Sequence, residues 1–355
     1  MRSLALLVLV AATVALVSGA VAQARPQVRR AARLIDCRCY DIFQIAGTGT
    51  GPRLRSLGGS RDLLDVSADR TRLLYEHREG VLSSSTVTAR GARVLPTQGG
   101  WVDNASFSPD GTKIVYETRS ADSTCAHDAI YVMDAAGGDD HTILAGCGSF
   151  VASWSPDSRQ LAFGRYRTAD ERSGELVVGG ADGSNLRVLA AHAPGIADLQ
   201  WSPSGDRIAY VAGYRPRMVH VIRTDGSHDL AVSRGRAPTW APDGRTLEYL
   251  WEPGFGRSDR VGVIGRDGTH NHVLDPAAVD PYGQGVGWSP DGRTIAYRIE
   301  DANQGCSCMD IYLARPDGSH RRRLVRGIRH EEFGPLYWTA DGSRLIYTRY
   351  IQHGE

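Results

Sequence analysis

Residues 288–297 of the chain read WSPDGRTIAY, and this pattern occurs seven times along the sequence. Each copy begins with an aromatic or aliphatic residue and ends with Tyr or Phe nine positions later: Val66/Tyr75, Phe107/Tyr116, Trp154/Phe163, Trp201/Tyr210, Trp240/Tyr249, Trp288/Tyr297 and Trp338/Tyr347. The copies start 39 to 50 residues apart, whereas the interval inside each copy is constant. A repeat of about 40 to 50 residues with short strands and Asp-Gly turns predicts an all-β fold, a β-propeller with one four-stranded sheet per copy.

Two turns are expected in each repeat. In the first, Pro presets φ, Asp accepts backbone hydrogen bonds and Gly tolerates a positive φ. A second Asp-Gly turn follows in several copies: Ala181–Ser184, Thr224–Ser227, Arg266–Thr269 and Pro316–Ser319. We therefore expect two successive hairpins per repeat, which give strands a, b, c and d.

The last copy ends early, since only eight residues follow Tyr347. The missing half is predicted at the other end of the chain, where CRCYDIFQIAG from Cys37 resembles CSCMDIYLARP from Cys306. The N-terminal strands would then complete the last blade and close the ring, which removes exposed sheet edges. Seven blades are expected; six is the alternative, because the copy from Asp65 to Tyr75 has neither Pro nor Gly.

The repeats resemble those of TolB-like propellers, which are marked by WSPDG followed by strand residues. The resemblance covers nearly all of the chain after the leader and implies the fold, whereas propellers host binding, scaffolding and catalysis alike. TolB also has a small α/β domain before its propeller, for which the sequence before the first strand leaves no room. A specific role in a Tol-type envelope complex is therefore not implied.

The first 24 residues have the features of a secretory signal peptide. Met1 and Arg2 precede an apolar run from Leu4 to Val17, and small residues follow at Ala20, Ala22 and Ala24. The alternative is a membrane anchor, but the run is shorter than the roughly 18 to 20 residues that span a bilayer. The sequence predicts export to the periplasm or the extracellular space, a flexible mature N-terminus over residues 25–36 and a single propeller domain over residues 37–355.

Charge gives no evidence of a nucleic-acid or membrane partner. The 355 residues include 41 Lys and Arg and 40 Asp and Glu, for a net charge of +1. No bulk field therefore favours a polyanion, and the basic run Arg321–Arg323 lies in a predicted outer strand. We expect a monomer that does not span a membrane and binds no nucleic acid.

The repeated Trp and Tyr residues could form a ligand-stacking set, but their recurrence in every copy favours a structural role. Each large ring would bury on the order of 150 to 250 Å² between blades. Strand alternation then directs the residue before each of them to the central channel. These channel positions are Asp65, Ser106, Ser153, Gln200, Thr239, Gly287 and Tyr337.

The copies differ most in the connections that lead to the channel mouth, and this is where we expect a binding surface. The candidate binding residues are Trp101, Asp103, Asn104, His192, Asp198, Gln200, Arg234, Arg236, His330 and Glu331, with Asp62 in the same set of connections. Mixed charges and one or two aromatic rings around a concave surface suit a polar ligand or a charged peptide end. Surface loops are polar in any protein, so this composition is also compatible with no binding role.

The six cysteines agree with export, because disulfides persist outside the cytoplasm. Six cysteines allow 15 pairings. Cys125 with Cys147 is the preferred pair, since they flank strands c and d of one blade. Cys37, Cys39, Cys306 and Cys308 form either two internal CxC bridges, cross-links between neighbouring blades, or a four-thiolate zinc site; disulfides are favoured.

No metal or cofactor is predicted. His228, His270 and His320 each follow an Asp-Gly turn, but they recur in separate blades and are too far apart to share an ion; His272 lies two residues after His270. Asp139-Asp140 lacks the spaced ligands of a calcium loop. Nucleophile-elbow, zinc-protease and phosphate-loop motifs do not occur in the sequence.

The sequence therefore predicts a rigid platform that binds a protein or a polar ligand, with no catalytic residues. The alternative is an envelope or secreted enzyme, a lyase or glycosidase with Asp103, Asp198, His192 or His330 as acid and base. Such an enzyme needs two titrating groups within reach of one substrate bond.

Overall fold

The fold is described by a computed structural model that covers residues 40–46, 53–56, 60–77, 80–87, 90–119, 129–146, 149–166, 174–192, 195–254, 259–275, 286–300, 309–327 and 331–351. Regular structure within these ranges consists of strands alone. Accordingly, none of the described segments is a helix long and apolar enough to cross a bilayer.

Twenty-seven strands are found in the described ranges. In chain order they are β1 (Tyr40–Ala46), β2 (Arg53–Ser56), β3 (Ser60–Val66), β4 (Arg72–His77), β5 (Leu82–Thr86), β6 (Arg93–Val94), β7 (Trp101–Phe107), β8 (Lys113–Arg119), β9 (Ala129–Asp134), β10 (His141–Ala145), β11 (Ser149–Trp154), β12 (Gln160–Tyr166), β13 (Gly174–Gly180), β14 (Arg187–His192), β15 (Ile196–Trp201), β16 (Arg207–Ala212), β17 (Met218–Arg223), β18 (Leu230–Trp240), β19 (Thr246–Trp251), β20 (Arg260–Gly265), β21 (His272–Val273), β22 (Val286–Trp288), β23 (Ile295–Glu300), β24 (Met309–Ala314), β25 (Arg322–Val325), β26 (Glu331–Trp338) and β27 (Arg344–Ile351).

The strands form antiparallel sheets of four. Four of them contain consecutive strands: β3 to β6, β7 to β10, β11 to β14 and β22 to β25. A sheet of seven runs from β15 to β21, and its long strand β18 belongs to two sets of four. Residues Leu230 to Arg234 of β18 pair with β17, and Gly235 to Trp240 pair with β19. The copy without Pro and Gly, at Val66/Tyr75, also forms a hairpin in a four-stranded sheet.

One sheet joins strands from the two ends of the chain, in the order β2-β1-β27-β26. Strand β1 is antiparallel to β27 over seven residue pairs, from Tyr40 opposite Tyr350 to Ala46 opposite Arg344. The hydrogen-bonded edge of β27 is therefore covered by a segment about 300 residues away in sequence.

The first turn of several repeats is held by a Ser and an Asp side chain. The Ser108 hydroxyl donates to Asp110 Oδ1 at 2.6 Å and accepts the Lys113 N–H at 2.9 Å. In the equivalent turn, the Ser155 hydroxyl holds the pKa of Asp157 below its usual value. Turn glycines have a positive φ and lie close to the proline of the preceding copy: a Cβ on Gly205 would lie 3.7 Å from Pro156. The motif thus shapes the turn and also the contact between neighbouring sheets.

The repeated tryptophans lie between sheets, which confirms the structural interpretation of these rings. Trp201, Trp240 and Trp338 are each 5 to 6% exposed and pack with residues of the preceding sheet. Their indole N–H groups donate to the carbonyl oxygen of the preceding channel position: Trp201 to Ser153 at 3.1 Å, Trp240 to Gln200 at 3.1 Å, and Trp338 to Gly287 at 3.0 Å. Trp154 makes a longer contact of the same kind with Ser106, at 3.4 Å.

The repeated tyrosines are buried with their hydroxyl groups paired. The Tyr116 hydroxyl donates to Asp140 at 2.7 Å and Tyr210 donates to Asp229 at 2.7 Å, each within its own sheet. Tyr297 donates instead to Asp275 at 2.8 Å, at the end of the preceding repeat, and Arg321 also contacts that carboxylate. A buried Tyr hydroxyl needs such a partner, so these contacts fix the ring positions between sheets.

A further repeated contact joins the outer strands. The first residue of several outer strands bonds a carbonyl oxygen in the second turn of the next repeat: Arg93 to Ala135 at 2.8 Å, His141 to Ala181 at 3.2 Å, Arg187 to Thr224, and His272 to Pro316 at 2.8 Å. In β18 the corresponding residue is Leu230. His272 therefore has a structural contact, whereas His228, His270 and His320 adopt a positive φ in their turns.

Candidate functional site in the central cavity

A cavity of about 680 Å³ lies where the first strands of five repeats meet. These strands are β3, β15, β18, β22 and β26, and they contribute Asp65, Gln200, Thr239, Gly287 and Tyr337 to its wall. All five are channel positions predicted from strand alternation. At a sixth position, the Ser153 hydroxyl accepts the Trp201 N–H at 3.4 Å, which places it at the boundary with the next sheet.

Polar side chains at the channel positions bind the backbone of the following repeat. Asp65 Oδ2 accepts the Phe107 N–H at 2.8 Å, and Gln200 Oε1 accepts the Trp240 N–H at 2.7 Å. These N–H groups belong to the residue that starts the next motif. The inner wall is therefore cross-linked from one repeat to the next by its own side chains.

Asp65 has an unusual electrostatic environment. Burial raises its pKa to about 6, although the Phe107 and Val66 N–H groups and Arg70 act in the opposite direction. Arg70 replaces the turn glycine in this copy with φ of 59°, and its guanidinium carbon lies 5.8 Å from the Tyr337 ring centroid. Asp65, Arg70 and Tyr337 thus form a polar group in the cavity wall.

Glu248 is the second buried carboxylate of the cavity wall. It is 1% exposed and lies opposite Thr239 in the β18–β19 pair. Burial raises its pKa well above the usual value, and the Thr239 hydroxyl offsets this only in part. Its Oε2 is buried and makes no hydrogen bond within the described residues.

The indole of Trp288 also differs from its equivalents. Trp288 packs against the hydrophobic cluster that contains Leu250 and Val261 and lines the same cavity as Glu248. Its Nε1 is buried and, within the described residues, has no hydrogen-bond partner. A buried acceptor and a buried donor therefore line one cavity, and each lacks a described protein partner.

Of the candidate mouth residues, Asp198 and Gln200 reach the cavity wall. Asp198 has φ of 48° at a bulge in β15, and its carboxylate accepts the Ala237 N–H at 2.9 Å. Asp198 thus has a structural contact as well as access to the cavity.

Arg234 and Arg236 lie on either side of Gly235 on β18, and their environments differ. Arg236 is paired with Asp259 at 2.9 Å and lies 3.6 Å from Glu252. Its side chain is 12% exposed, so its charge is largely neutralised inside the protein. Arg234 is exposed and lies opposite Met218.

Three further candidates lie on β7, outside the set of residues that line the cavity. Trp101 is 48% exposed, Asp103 pairs with Arg119 at 3.4 Å, and Asn104 bonds the buried Glu117. They form a separate group at the start of β7.

Several predicted residues cannot be placed in a site. His192 ends β14 and Glu331 begins β26, but their side chains lie outside the described residues, as does His330 entirely. The predicted disulfide residues Cys37, Cys39, Cys125, Cys147, Cys306 and Cys308 also lie outside the described residues.

Arg70 and Glu248 are not among the residues predicted from the sequence, although the repeat contains a signal for both. Arg70 occupies a turn position that is usually glycine, and Glu248 occupies a position that is apolar in every other copy: Leu74, Val115, Ala162, Ala209, Ala296 and Ile346. A departure from a repeated apolar position identifies a side chain that the repeated core does not require.

The repeated four-stranded sheets define the chain as a β-propeller. Its structure is similar to that of a putative TolB from Agrobacterium tumefaciens, with 18% identity, a TM-score of 0.54 and coverage of 88% of this chain and 99% of that one. TolB from Acinetobacter baumannii is similar over 83% of this chain and 65% of its own length, with 14% identity and a TM-score of 0.52.

An oligogalacturonate lyase in complex with manganese is also similar, with 14% identity, a TM-score of 0.62 and coverage of 88% of this chain and 96% of that one. No family model matches the chain. At these identities the similarity shows the fold alone. The chain has a TolB-like propeller fold, as the WSPDG repeats predicted.

Proposed function

We propose that the chain is an exported, seven-bladed propeller that acts as a rigid binding platform for a protein or polar ligand at its channel mouth and cavity. The observation that carries this proposal is the cavity of about 680 Å³, in which Asp65, Arg70, Asp198 and Glu248 converge from three repeats. Pockets with a few convergent polar groups are the usual location of ligand sites.

Strand pairing supports the proposed blade count. Within the described residues there are five sheets of four strands and one of seven, in which β18 serves two sets, as expected for seven blades. Pairing of β1 with β27 supports closure of the ring by the two chain ends. A closed ring would hold the cavity wall rigid and would lower the ordering cost of binding.

Export and cleavage of residues 1–24 complete the proposal. In that setting the mature chain comprises residues 25–36 and a propeller domain over 37–355, and it is a monomer whose cysteines form disulfides, preferably Cys125 with Cys147. Its place is the periplasm or the extracellular space. The nearly balanced charge supports a protein or polar ligand as partner and argues against nucleic acid.

An enzyme is the second candidate, because an oligogalacturonate lyase has a similar fold. Two buried carboxylates with raised pKa values, Asp65 and Glu248, line one cavity and could serve in acid and base steps. Against this, the predicted acid Asp103 is paired with Arg119 outside the cavity. Formation of unsaturated products from oligogalacturonate by the mature chain would favour the enzyme.

The binding proposal is tested by affinity capture from an envelope fraction with the mature chain as bait. Trp101→Ala and Asp198→Asn change the exposed aromatic and the cavity carboxylate; Asn tolerates a positive φ and can still accept the Ala237 N–H. His228→Asn, in a turn of the outer hairpin, is the control. We expect a defined partner or co-purifying small molecule that the control retains and at least one mouth variant loses. Equal retention by all variants would contradict the proposal.

A further inference from the structure

The interface around Trp288 has two unmatched polar atoms in one cavity. Trp201, Trp240 and Trp338 each donate an indole hydrogen bond to the preceding repeat, whereas the Nε1 of Trp288 has no partner within the described residues. Glu248 Oε2, also unpaired there, belongs to the repeat that precedes Trp288. Leaving either atom unpaired in a folded protein is unfavourable, because the atom has lost its hydrogen bonds to water.

The position equivalent to Glu248 is apolar in all six other copies, so the fold does not require a carboxylate there. Buried polar atoms are nearly always hydrogen-bonded. A buried polar group without a partner in the protein therefore indicates that a bound molecule supplies one. For ionised Glu248 this partner must donate a hydrogen bond, and for Trp288 it must accept one.

The charges of the cavity wall indicate a cation at Glu248. The charged side chains that line the cavity are Asp65, Arg70, Asp198 and Glu248, three acidic and one basic. Asp65 accepts two backbone N–H groups and interacts with Arg70, and Asp198 accepts the Ala237 N–H. Glu248 has only the Thr239 hydroxyl within the described residues.

An organic ammonium group fits this wall better than a metal ion. No three His, Cys, Asp or Glu side chains in the described ranges are arranged to hold a metal, and a divalent ion needs several such ligands. An ammonium group donates up to three hydrogen bonds and is attracted to indole faces. Trp240 and Trp288 both line the cavity.

We propose that the cavity binds a small hydroxylated amine, with its ammonium group against Glu248 and an oxygen atom accepting the Trp288 indole hydrogen bond. Amino sugars and amino alcohols have both groups. A cavity of about 680 Å³ is large enough for a molecule of this size. This inference rests on the proposed binding function and names its ligand class.

Binding of an ammonium group is coupled to the protonation of Glu248. Burial raises the pKa of the free carboxyl, and an adjacent cation lowers it again. A proton is therefore released on binding wherever the free carboxyl is protonated, and affinity rises with pH over that range. Asp65, Arg70, Asp198 and Tyr337 line the same cavity and are the other titratable groups that could contribute.

Isothermal titration calorimetry of the mature chain tests the inference with three probes: glucosamine, ethanolamine and serinol. Glucose, ethylene glycol and glycerol are their neutral counterparts. Titration in phosphate and in MOPS, which differ in ionisation enthalpy and contain no primary amine, gives the number of protons released. We expect at least one amine to bind at least tenfold more tightly than its neutral counterpart, with release of up to one proton.

Two substitutions locate the site. Glu248→Gln keeps the side-chain shape and removes the charge, and we expect it to weaken amine binding at least tenfold and to abolish proton release. Glu117→Gln is the matched control, since Glu117 is equally buried but lies outside the set of residues that line the cavity; it should bind like the wild type.

The inference is overturned if none of the three amines binds, if the neutral counterparts bind as tightly, or if Glu248→Gln binds like the wild type. If only the amine titrations fail and partner capture still depends on Trp101 or Asp198, the ligand class is wrong and the binding platform stands. If both experiments fail, the proposed function is wrong as well.

Discussion

The Trp240 interface and the Trp288 interface have almost the same motif, WAPDGRTLEY and WSPDGRTIAY, but differ in their hydrogen bonds. At the Trp240 interface, the backbone carbonyl oxygen of Gln200 accepts the indole N–H, and its side-chain Oε1 accepts the Trp240 backbone N–H. At the Trp288 interface, the corresponding residue is Thr239, whose hydroxyl bonds Glu248 instead. The indole of Trp288 is left without a partner in the described part of the chain.

The difference shows how one motif can build both scaffold and site. The ten-residue motif determines the turn, the strand and the buried ring. The partner of that ring comes from the preceding repeat, about 40 to 50 residues earlier in the chain. A different residue at one position of the preceding repeat, such as Glu248, can therefore change one interface while the other interfaces keep their contacts.

The largest expected effect concerns Glu117, a carboxylate that is buried at another interface between repeats. Glu117 is 1% exposed, and its carboxylate accepts the Ala152 N–H across an interface at 2.7 Å. Burial raises the pKa of Glu117 to about 8, whereas an unfolded glutamate titrates near 4.3. Between these values the folded chain retains a proton that the unfolded chain has lost, so stability falls as pH rises from about 4.3 to about 8.

Glu117→Gln keeps an acceptor for the Ala152 N–H and removes this titration. At pH 8.5 we expect the variant to be more stable than the wild type by about 5 kcal/mol, and at pH 4.5 the difference should be below about 1 kcal/mol. Denaturant unfolding at both pH values measures the difference. A difference that does not change with pH would show that Glu117 is ionised in the folded chain.

A smaller effect is expected from the tryptophans themselves. Trp240→Phe leaves the Gln200 carbonyl without its indole donor, whereas Trp288→Phe removes an N–H that has no described protein partner. Both lose ring area, so we expect Trp240→Phe to cost about 1 kcal/mol more in unfolding free energy. Trp201→Phe should group with Trp240→Phe, because Trp201 donates to Ser153 at 3.1 Å. Equal losses in all three would contradict the comparison.

The smallest effect is expected at the first residue of the outer strands, which is Arg in some repeats and His in others. Both ring nitrogens of His272 face carbonyl oxygens, of His270 at 2.9 Å and of Pro316 at 2.8 Å. His272→Arg, the residue type found at Arg93 and Arg187, keeps a donor for the Pro316 carbonyl oxygen, whereas His272→Ala removes it. We expect His272→Ala to cost roughly 0.5 kcal/mol more in unfolding free energy than His272→Arg. Thermal unfolding of both variants measures the difference, and equal losses would count against a role for this contact.

The sequence predicted those features of the fold that every repeat shares. Strand alternation identified Asp65, Gln200, Thr239, Gly287 and Tyr337 as channel positions, and all five line the cavity. Recurrence of Trp and Tyr identified the residues between sheets. These inferences depend only on the local sequence motif, which occurs seven times in the chain.

The candidate site was predictable only in part, because its contacts join residues from different repeats. Arg236 looked available in sequence, but it pairs with Asp259 and lies near Glu252 after the chain has formed another hairpin. Asp198 lines the cavity, and its bond to the Ala237 N–H depends on a bulge that the sequence does not indicate. Glu248 was detectable by comparison of the seven copies at one position.

A crystal structure of the mature chain grown with glucosamine, ethanolamine or serinol would show whether an amine occupies the cavity. We expect an ammonium nitrogen at hydrogen-bond distance from the Glu248 carboxylate and a ligand oxygen at the Trp288 indole nitrogen, with the Trp240 interface unchanged. A cavity in which all three amines are absent from Glu248, or in which another protein group pairs both unmatched atoms, would contradict this expectation.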